Sequence, residues 1–146
     1  MLGSTEYLKA MDIVFLFGRL LFSLLFIASG VMGHFVQGRN TQEYARASGA
    51  PSPEVTVPLT GAMLVAGGLS VLLGIFADAG ALILFAFLVP TAFIMHPFWK
   101  VEDPQMQQLQ MAQFMKNISL SGACLIVFWL YSEAADLPLS LTESLF

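Results

Sequence analysis

The chain has 146 residues, of which 57% are hydrophobic and only 11% are charged, whereas charged residues make up about 25% of an ordinary soluble domain. Its formal net charge of −4 argues against nucleic-acid binding, which needs clustered lysine and arginine to displace phosphate counterions. Because Cys124 is the single cysteine, an internal disulfide, a CxxC redox pair and a thiolate zinc site are excluded. The composition therefore favours a protein whose main solvent is the lipid bilayer.

The charged residues leave four long gaps, at 20–38, 55–77, 79–99 and 117–132. A helix that crosses a hydrocarbon core of about 30 Å needs about 20 mostly apolar residues. The sequence therefore predicts an all-α, polytopic membrane protein with a single domain, a four-transmembrane-helix bundle without a large domain outside the membrane. The predicted spans cover residues 13–32, 57–76, 79–95 and 114–132.

The first predicted span begins after Asp12, a suitable N-cap, and is followed by the most polar stretch of the chain. In that stretch Asn40 and Glu43 form a capping-box pattern for a short interfacial helix in the first loop. The second span is rich in small residues such as Gly67 and Gly68, which let transmembrane helices approach closely. It is expected to be the central packing helix, and glycine-rich faces are candidate surfaces for homo-oligomerisation.

Two further boundaries follow from single residues. Asp78 is placed to cap the third span, and Asp103 followed by Pro104 is typical of a helix start. The fourth helix is therefore expected to begin in the glutamine-rich stretch before its membrane span. Within the third span, Pro90 lacks an N–H, so the carbonyl of Ala86 loses its helical hydrogen bond, which predicts a kink or an exposed carbonyl at this point.

The distribution of positive charge gives a predicted orientation. An even number of spans places both termini on one side of the membrane. The side of the first and third loops carries Arg39, Arg46, Lys100 and Lys116, and the side of the termini carries Lys9 and Arg19. The positive-inside rule therefore predicts cytoplasmic first and third loops.

The predicted helix ends bring several polar residues to one membrane face. Ionisable groups at membrane depth are costly and usually face the protein interior, so together these residues predict a site for a quinone or another polar head group. A histidine there can pass a proton. The candidate ligand-binding residues are His34, Tyr44, His96, Trp99, Lys116 and Asn117.

Each of these residues also has a purely structural interpretation, in which a histidine caps the carbonyls of a helix end and Lys116 snorkels to the interface. Two histidines without a nearby carboxylate motif do not predict a metal site. A haem between His34 and His96 fits the same pattern, but no spacing requires it, and no intrinsic cofactor is predicted.

Arg19 is the isolated charge of the first span. Small residues such as Ser23 and Gly30 continue its face at helical spacing, which favours a buried position. Its guanidinium would then donate to backbone carbonyls, including those freed by Pro90, or pair with Asp12. Snorkelling to the terminal side is the alternative.

Short motifs in all four spans together resemble the DoxX family of small bacterial four-helix membrane proteins, over about residues 13–130. The motifs are Gly18-Arg19-Leu20-Leu21 with Gly30, Gly67-Gly68-Leu69 with Leu73-Gly74, His96-Pro97-Phe98-Trp99, and Phe114-Met115-Lys116-Asn117 followed by Leu120 and Gly122. The resemblance implies a multi-pass protein of the bacterial inner membrane, related to the DoxD type of subunit in thiosulfate:quinone oxidoreductase. Many relatives have an acidic residue before the Gly-Gly pair, where this chain has Ala62-Met63-Leu64-Val65.

The leading hypothesis is a DoxX-like subunit that binds a quinone or a similar lipid-soluble ligand and works with a redox partner, as an accessory subunit of a membrane oxidoreductase. One alternative is a non-enzymatic membrane scaffold or assembly factor that recruits another membrane protein through its glycine-rich faces. A third hypothesis is a pathway for a small solute or protons along Arg19 and the Pro90 kink.

Overall fold

The computed structural model describes residues 4–133 and 137–146, and across them it contains helices, turns and irregular segments but no strand. Four of the helical segments are long and apolar enough to cross a membrane, so the predicted all-α, four-helix membrane fold is confirmed. The helices are α1 (Ser4–Ala28), a π-helix (Ser29–Val36) that continues α1, α2 (Gly38–Ala47), α3 (Pro53–Leu73), α4 (Ala77–Met95), a 3₁₀ turn (Phe98–Lys100) and α5 (Pro104–Glu133). The short helix α2 is the predicted helix of the first loop.

The central helix is α3, which packs against α1, the π-helix, α2 and α4, while α4 also packs against α5. A Cβ atom at Gly67 would lie 2.7 Å from Cγ of Leu84 on α4, and one at Gly68 would lie 2.8 Å from Cγ1 of Ile27 on α1. Side chains cannot approach that closely without a shift in the packing. The small residues therefore set the helix spacing on both sides of α3, as predicted.

Three capping predictions are wrong, and Asp103 is the exception. Helix α1 begins well before Asp12, and α2 begins before Asn40, so both residues have helical backbone and cannot act as N-caps. Asp78 likewise lies inside α4, whose N-terminus has no side-chain cap. Asp103 accepts a hydrogen bond from the N–H of Met106 at 2.8 Å and caps α5 as predicted.

Arg19 is buried, with 4% of its surface exposed, but the partners expected for it were wrong. It pairs with neither Asp12 nor a carbonyl near Pro90, because its side chain reaches the C-terminal end of α3, where backbone carbonyls have no helical donor. The guanidinium donates hydrogen bonds of 2.5 to 3.3 Å to the carbonyls of Val71, Leu72, Pro138 and Leu139. It thereby ties α1, α3 and the C-terminal segment together.

The C-terminal segment, residues 137–146, folds back over the turn between α3 and α4. Gly74 ends α3 in the left-handed conformation, with φ of +63°, and its carbonyl accepts backbone hydrogen bonds from this segment. The buried carboxylate of Asp78 accepts the N–H groups of Leu145 and Phe146 at 2.6 and 2.9 Å. The segment therefore covers the end of the bundle at which α3 turns into α4. The short helix α2 lies at the opposite end.

Candidate functional site

A cavity of about 400 Å³ lies at the end of the bundle that carries α2, between the π-helix and helices α2 to α5. We call it the loop-side cavity. Its volume lies within the range of small-molecule sites, about 300–1,000 Å³. Apolar side chains such as Met63 and Phe87 form much of its wall. Five of the six candidate ligand-binding residues also line it: His34, Tyr44, His96, Lys116 and Asn117.

The sixth candidate, Trp99, lies outside the cavity. Its indole is half exposed and packs edge-on against the rings of Phe98 and Phe114, at centroid distances of 5.2 and 5.7 Å. Phe93 joins the same cluster. Aromatic rings commonly gather at the membrane interface in this way, so the position of Trp99 is explained by packing.

Hydrogen bonds link the polar groups at the mouth of the cavity, the end nearest α2. The hydroxyl of Tyr44 donates to the carbonyl of Met95 at 3.2 Å and accepts from Nε2 of Gln110 at 3.3 Å. Nδ1 of His96 lies 2.8 Å from Oε1 of Gln110. Sequence reasoning missed Gln110, because a glutamine-rich stretch gives no means of choosing one residue until the rotation of α5 is known.

Asn117 and His34 lie deeper than the mouth. Because α5 begins ahead of its predicted span, Asn117 is two turns, roughly 10 Å, beyond Gln110 along that helix. The ring of His34 packs edge-on against Phe87, with centroids 6.0 Å apart, and Phe87 is roughly 13 Å from His96 along α4. The cavity therefore has two levels of polar groups, one at the mouth and one deeper in the bundle.

The side chain of Asn117 is 6% exposed and makes no hydrogen bond to any residue that the structure describes. Its polar atoms are not fully enclosed, because the described side chains with an enclosed and unpaired polar atom are Ser23 and Asp78, so the amide opens into the cavity that it lines. In the same wall, the carbonyl of Ala86 lacks a helical donor because Pro90 has no N–H. Both groups are therefore available to a ligand inside the cavity.

Lys116 fits its structural interpretation in part. Its Nζ donates to Oε1 of Gln113 at 2.6 Å, one turn closer to the mouth on α5. This is the direction in which a lysine snorkels toward the interface. The ammonium is thus directed toward the mouth of the cavity, and the side chain contributes to the cavity wall.

The π-helix places His34 and was not predicted. Such helices are rare and often occur at functional sites. Nδ1 of His34 lies 3.1 Å from the carbonyl oxygen of Ser29 within this segment. A Cβ at Gly61 on α3 would lie only 2.6 Å from the Cβ of His34, so the missing side chain allows the π-helix to approach α3.

A second cavity, of about 420 Å³, forms a largely apolar groove between α1 and α5. Arg19 lines this groove, whereas Pro90 lines the loop-side cavity. The two residues of the transport hypothesis therefore belong to different cavities. Among the described ranges, no group of three or more His, Cys, Asp or Glu residues is arranged to hold a metal ion.

Comparison with known proteins supports the fold. The chain matches the DoxX family over residues 14–97, more than half of its length. It is similar to the inner membrane protein YphA of Escherichia coli (strain K12), with 28% identity over 125 residues that cover 84% of this chain and 86% of the relative. No solved structure matches the chain significantly. The chain is therefore a multi-pass inner-membrane protein that belongs to the DoxX family.

Proposed function

We propose that the protein binds a quinone, or a ligand of similar shape and solubility, in the loop-side cavity and exchanges it with a redox partner in the membrane. The observation that carries this proposal is the amide of Asn117, which is buried in a helix long and apolar enough to cross the membrane, lines the cavity and has no hydrogen-bond partner among the described residues. An amide in this position can both donate to and accept from the oxygens of a bound head group.

The walls suit a flat, lipid-soluble ring. Phe87 offers an aromatic face, Met63 a flexible and polarizable contact, and Pro90 an apolar surface beside the free carbonyl of Ala86. The polar mouth with Tyr44 opens toward the membrane surface. A ligand that enters from the bilayer would thus meet apolar contacts around its ring and hydrogen-bonding groups at its oxygens.

The proposal is tested by titrating purified protein in nanodiscs with short-chain menaquinone and ubiquinone analogues. Wild type should bind at least one class, and Asn117→Leu should weaken binding about tenfold or more, because it removes a hydrogen bond from a water-poor space. The matched control is Ser121→Ala, since Ser121 is also buried on α5 but its hydroxyl donates to the carbonyl of Ile118 and it does not line the cavity.

A second variant tests whether the polar residues near the mouth of the loop-side cavity contribute to binding. The double variant His96→Ala with Lys116→Ala should also bind the analogues more weakly than wild type, because Lys116 is a hydrogen-bond donor in the cavity wall and both side chains contribute contact area to it. Binding that is identical in wild type, Asn117→Leu and the double variant would show that the loop-side cavity is not the quinone site.

One observation favours a membrane scaffold as a second candidate function. Most glycines of the core are used inside this chain, but a Cβ at Gly18 on α1 or at Gly122 on α5 would meet no atom within 4 Å. These two positions leave room for another transmembrane helix. Crosslinking in native membranes tests this candidate, and a protein that forms no crosslink to a partner or a second copy would contradict it.

A further inference from the structure

The hydrogen bonds around the loop-side cavity determine where each imidazole carries its proton. Nδ1 of His34 lies 3.1 Å from the carbonyl oxygen of Ser29. Because a carbonyl oxygen can only accept, Nδ1 must be the donor. In the neutral ring, Nε2 is then an acceptor.

The same result holds for His96, through a chain of three hydrogen bonds. Tyr44 gives its single hydroxyl proton to the carbonyl of Met95, so its oxygen accepts from the amide nitrogen of Gln110. Oε1 of Gln110 must then face His96, and Nδ1 of that ring donates to it. Nε2 of His96 is again left as an acceptor.

Other polar groups of the cavity wall have no free proton with which to donate a hydrogen bond to a ligand. Thr41, Thr56 and Thr60 each donate their hydroxyl proton to a backbone carbonyl, so their oxygens retain only lone pairs. Ala86 adds a free carbonyl. The donors that remain in the wall are the amide of Asn117, the ammonium of Lys116 and the hydroxyls of Ser29 and Thr91. Hydrogen-bond acceptors therefore outnumber donors around the cavity.

From this imbalance we infer that the cavity binds the reduced, dihydroxy form of its carrier more tightly than the oxidised quinone, an inference that rests on the proposed function. Quinone oxygens can only accept, so opposite Nε2 of His34 or His96 they leave two acceptors facing each other in a water-poor space. Each hydroxyl of a hydroquinone can donate to such an acceptor instead. The site thus selects a redox form as well as a ring.

The expected preference is about tenfold or more. For a two-electron couple, a tenfold difference in affinity corresponds to a shift of about 30 mV in the midpoint potential of the bound carrier. Tighter binding of the reduced form raises that potential. The protein would therefore make its bound carrier a stronger oxidant than the same carrier in free membrane.

The test compares three probes with one ring system under anaerobic conditions, in nanodiscs that contain the full chain: naphthohydroquinone, naphthoquinone and the dimethyl ether of naphthohydroquinone. The ether keeps the ring and both oxygens but has no proton to donate. The inference predicts that the hydroquinone binds at least about tenfold more tightly than the other two. Equal binding of hydroquinone and quinone would overturn the inference while leaving the proposed function in place. The same three probe types built on the benzoquinone ring are compared in parallel, and failure of both sets to bind would overturn both.

Variants separate hydrogen bonding from packing. His96→Phe should reduce the preference for the hydroquinone over the ether without weakening the ether, whereas Asn117→Leu should weaken all three probes. Heteronuclear NMR of the two imidazoles gives an independent check, because both should carry the proton on Nδ1. Gln110→Leu should change the signal of His96 and leave that of His34 unchanged. A proton on Nε2 of either ring in the wild-type protein would contradict the inference.

Discussion

Replacement of Arg19 by methionine is expected to lower the melting temperature of the detergent-solubilised protein by about 10 °C. The guanidinium is buried and donates to four backbone carbonyls at the end of α3 and in the C-terminal segment. Methionine would leave these acceptors without donors, at a cost of about 1–3 kcal/mol for each one that water cannot reach. Three of the four hydrogen bonds are only part-buried, so water can reach those carbonyls and the net loss is about 3 kcal/mol. Arg19→Lys should be intermediate, because lysine keeps the charge but lacks the planar fork.

The thiol of Cys124 can report the unfolding of the protein in this measurement. Cys124 is the single cysteine and is fully buried in the core, so a thiol-reactive fluorescent dye labels it only on unfolding. The matched control is Arg39→Met, because Arg39 is exposed and its removal should change stability by no more than about 0.5 kcal/mol. Equal melting of the two methionine variants would mean that Arg19 does not hold the C-terminal segment.

The second large effect is expected at Gly61, where alanine should cost about 2 kcal/mol of stability and weaken quinone binding. The added Cβ would lie 2.6 Å from the Cβ of His34 and 3.2 Å from Cζ of Phe35. The first of these atoms is fixed to the backbone, so the π-helix itself must move away from α3. His34 would move with it and leave its position in the cavity wall.

Gly122→Ala is the control with the same chemical change. Its Cβ would meet no atom within 4 Å, and alanine favours the helix over glycine by up to about 1 kcal/mol, so this variant should be as stable as wild type or slightly more stable. Dye-monitored melting and quinone titration of both variants check the prediction. A Gly61→Ala protein that melts and binds like Gly122→Ala would show that the close approach of the π-helix is not needed.

The four-helix fold could be predicted because the hydrocarbon core of the bilayer disfavours charged residues in the helices that cross it. A charge inside a span is costly, so the uncharged gaps locate the helices, and α4 coincides closely with the predicted range 79–95. The helix ends were harder to predict. Asp12 and Asn40 are good N-caps only where the backbone is not yet helical, and local sequence did not show that both helices begin upstream.

The candidate site could be predicted in outline for a similar reason. His34 and His96 follow from the helix ends alone, since antiparallel helices bring alternate ends to one face. The depth of each side chain in the cavity and its hydrogen-bond partners depend on helix rotation and on tertiary contacts. The hydrogen bonds of Gln110 were therefore not predictable. The binding of Arg19 to the C-terminal segment was also out of reach, because that segment has no periodic pattern and its carbonyls carry no side-chain signature.

The claim that the loop-side cavity is the ligand site is tested most directly by photolabelling. A quinone analogue that carries a diazirine is irradiated with the protein in membranes, and the labelled peptides are identified by mass spectrometry. We expect labels within residues 86–95 of α4, on His96, and on Lys116 and Asn117 of α5, which border the cavity, and much weaker labelling in Asn117→Leu. Labels confined to the groove between α1 and α5, at residues such as Val14 and Ile126, would contradict the assignment.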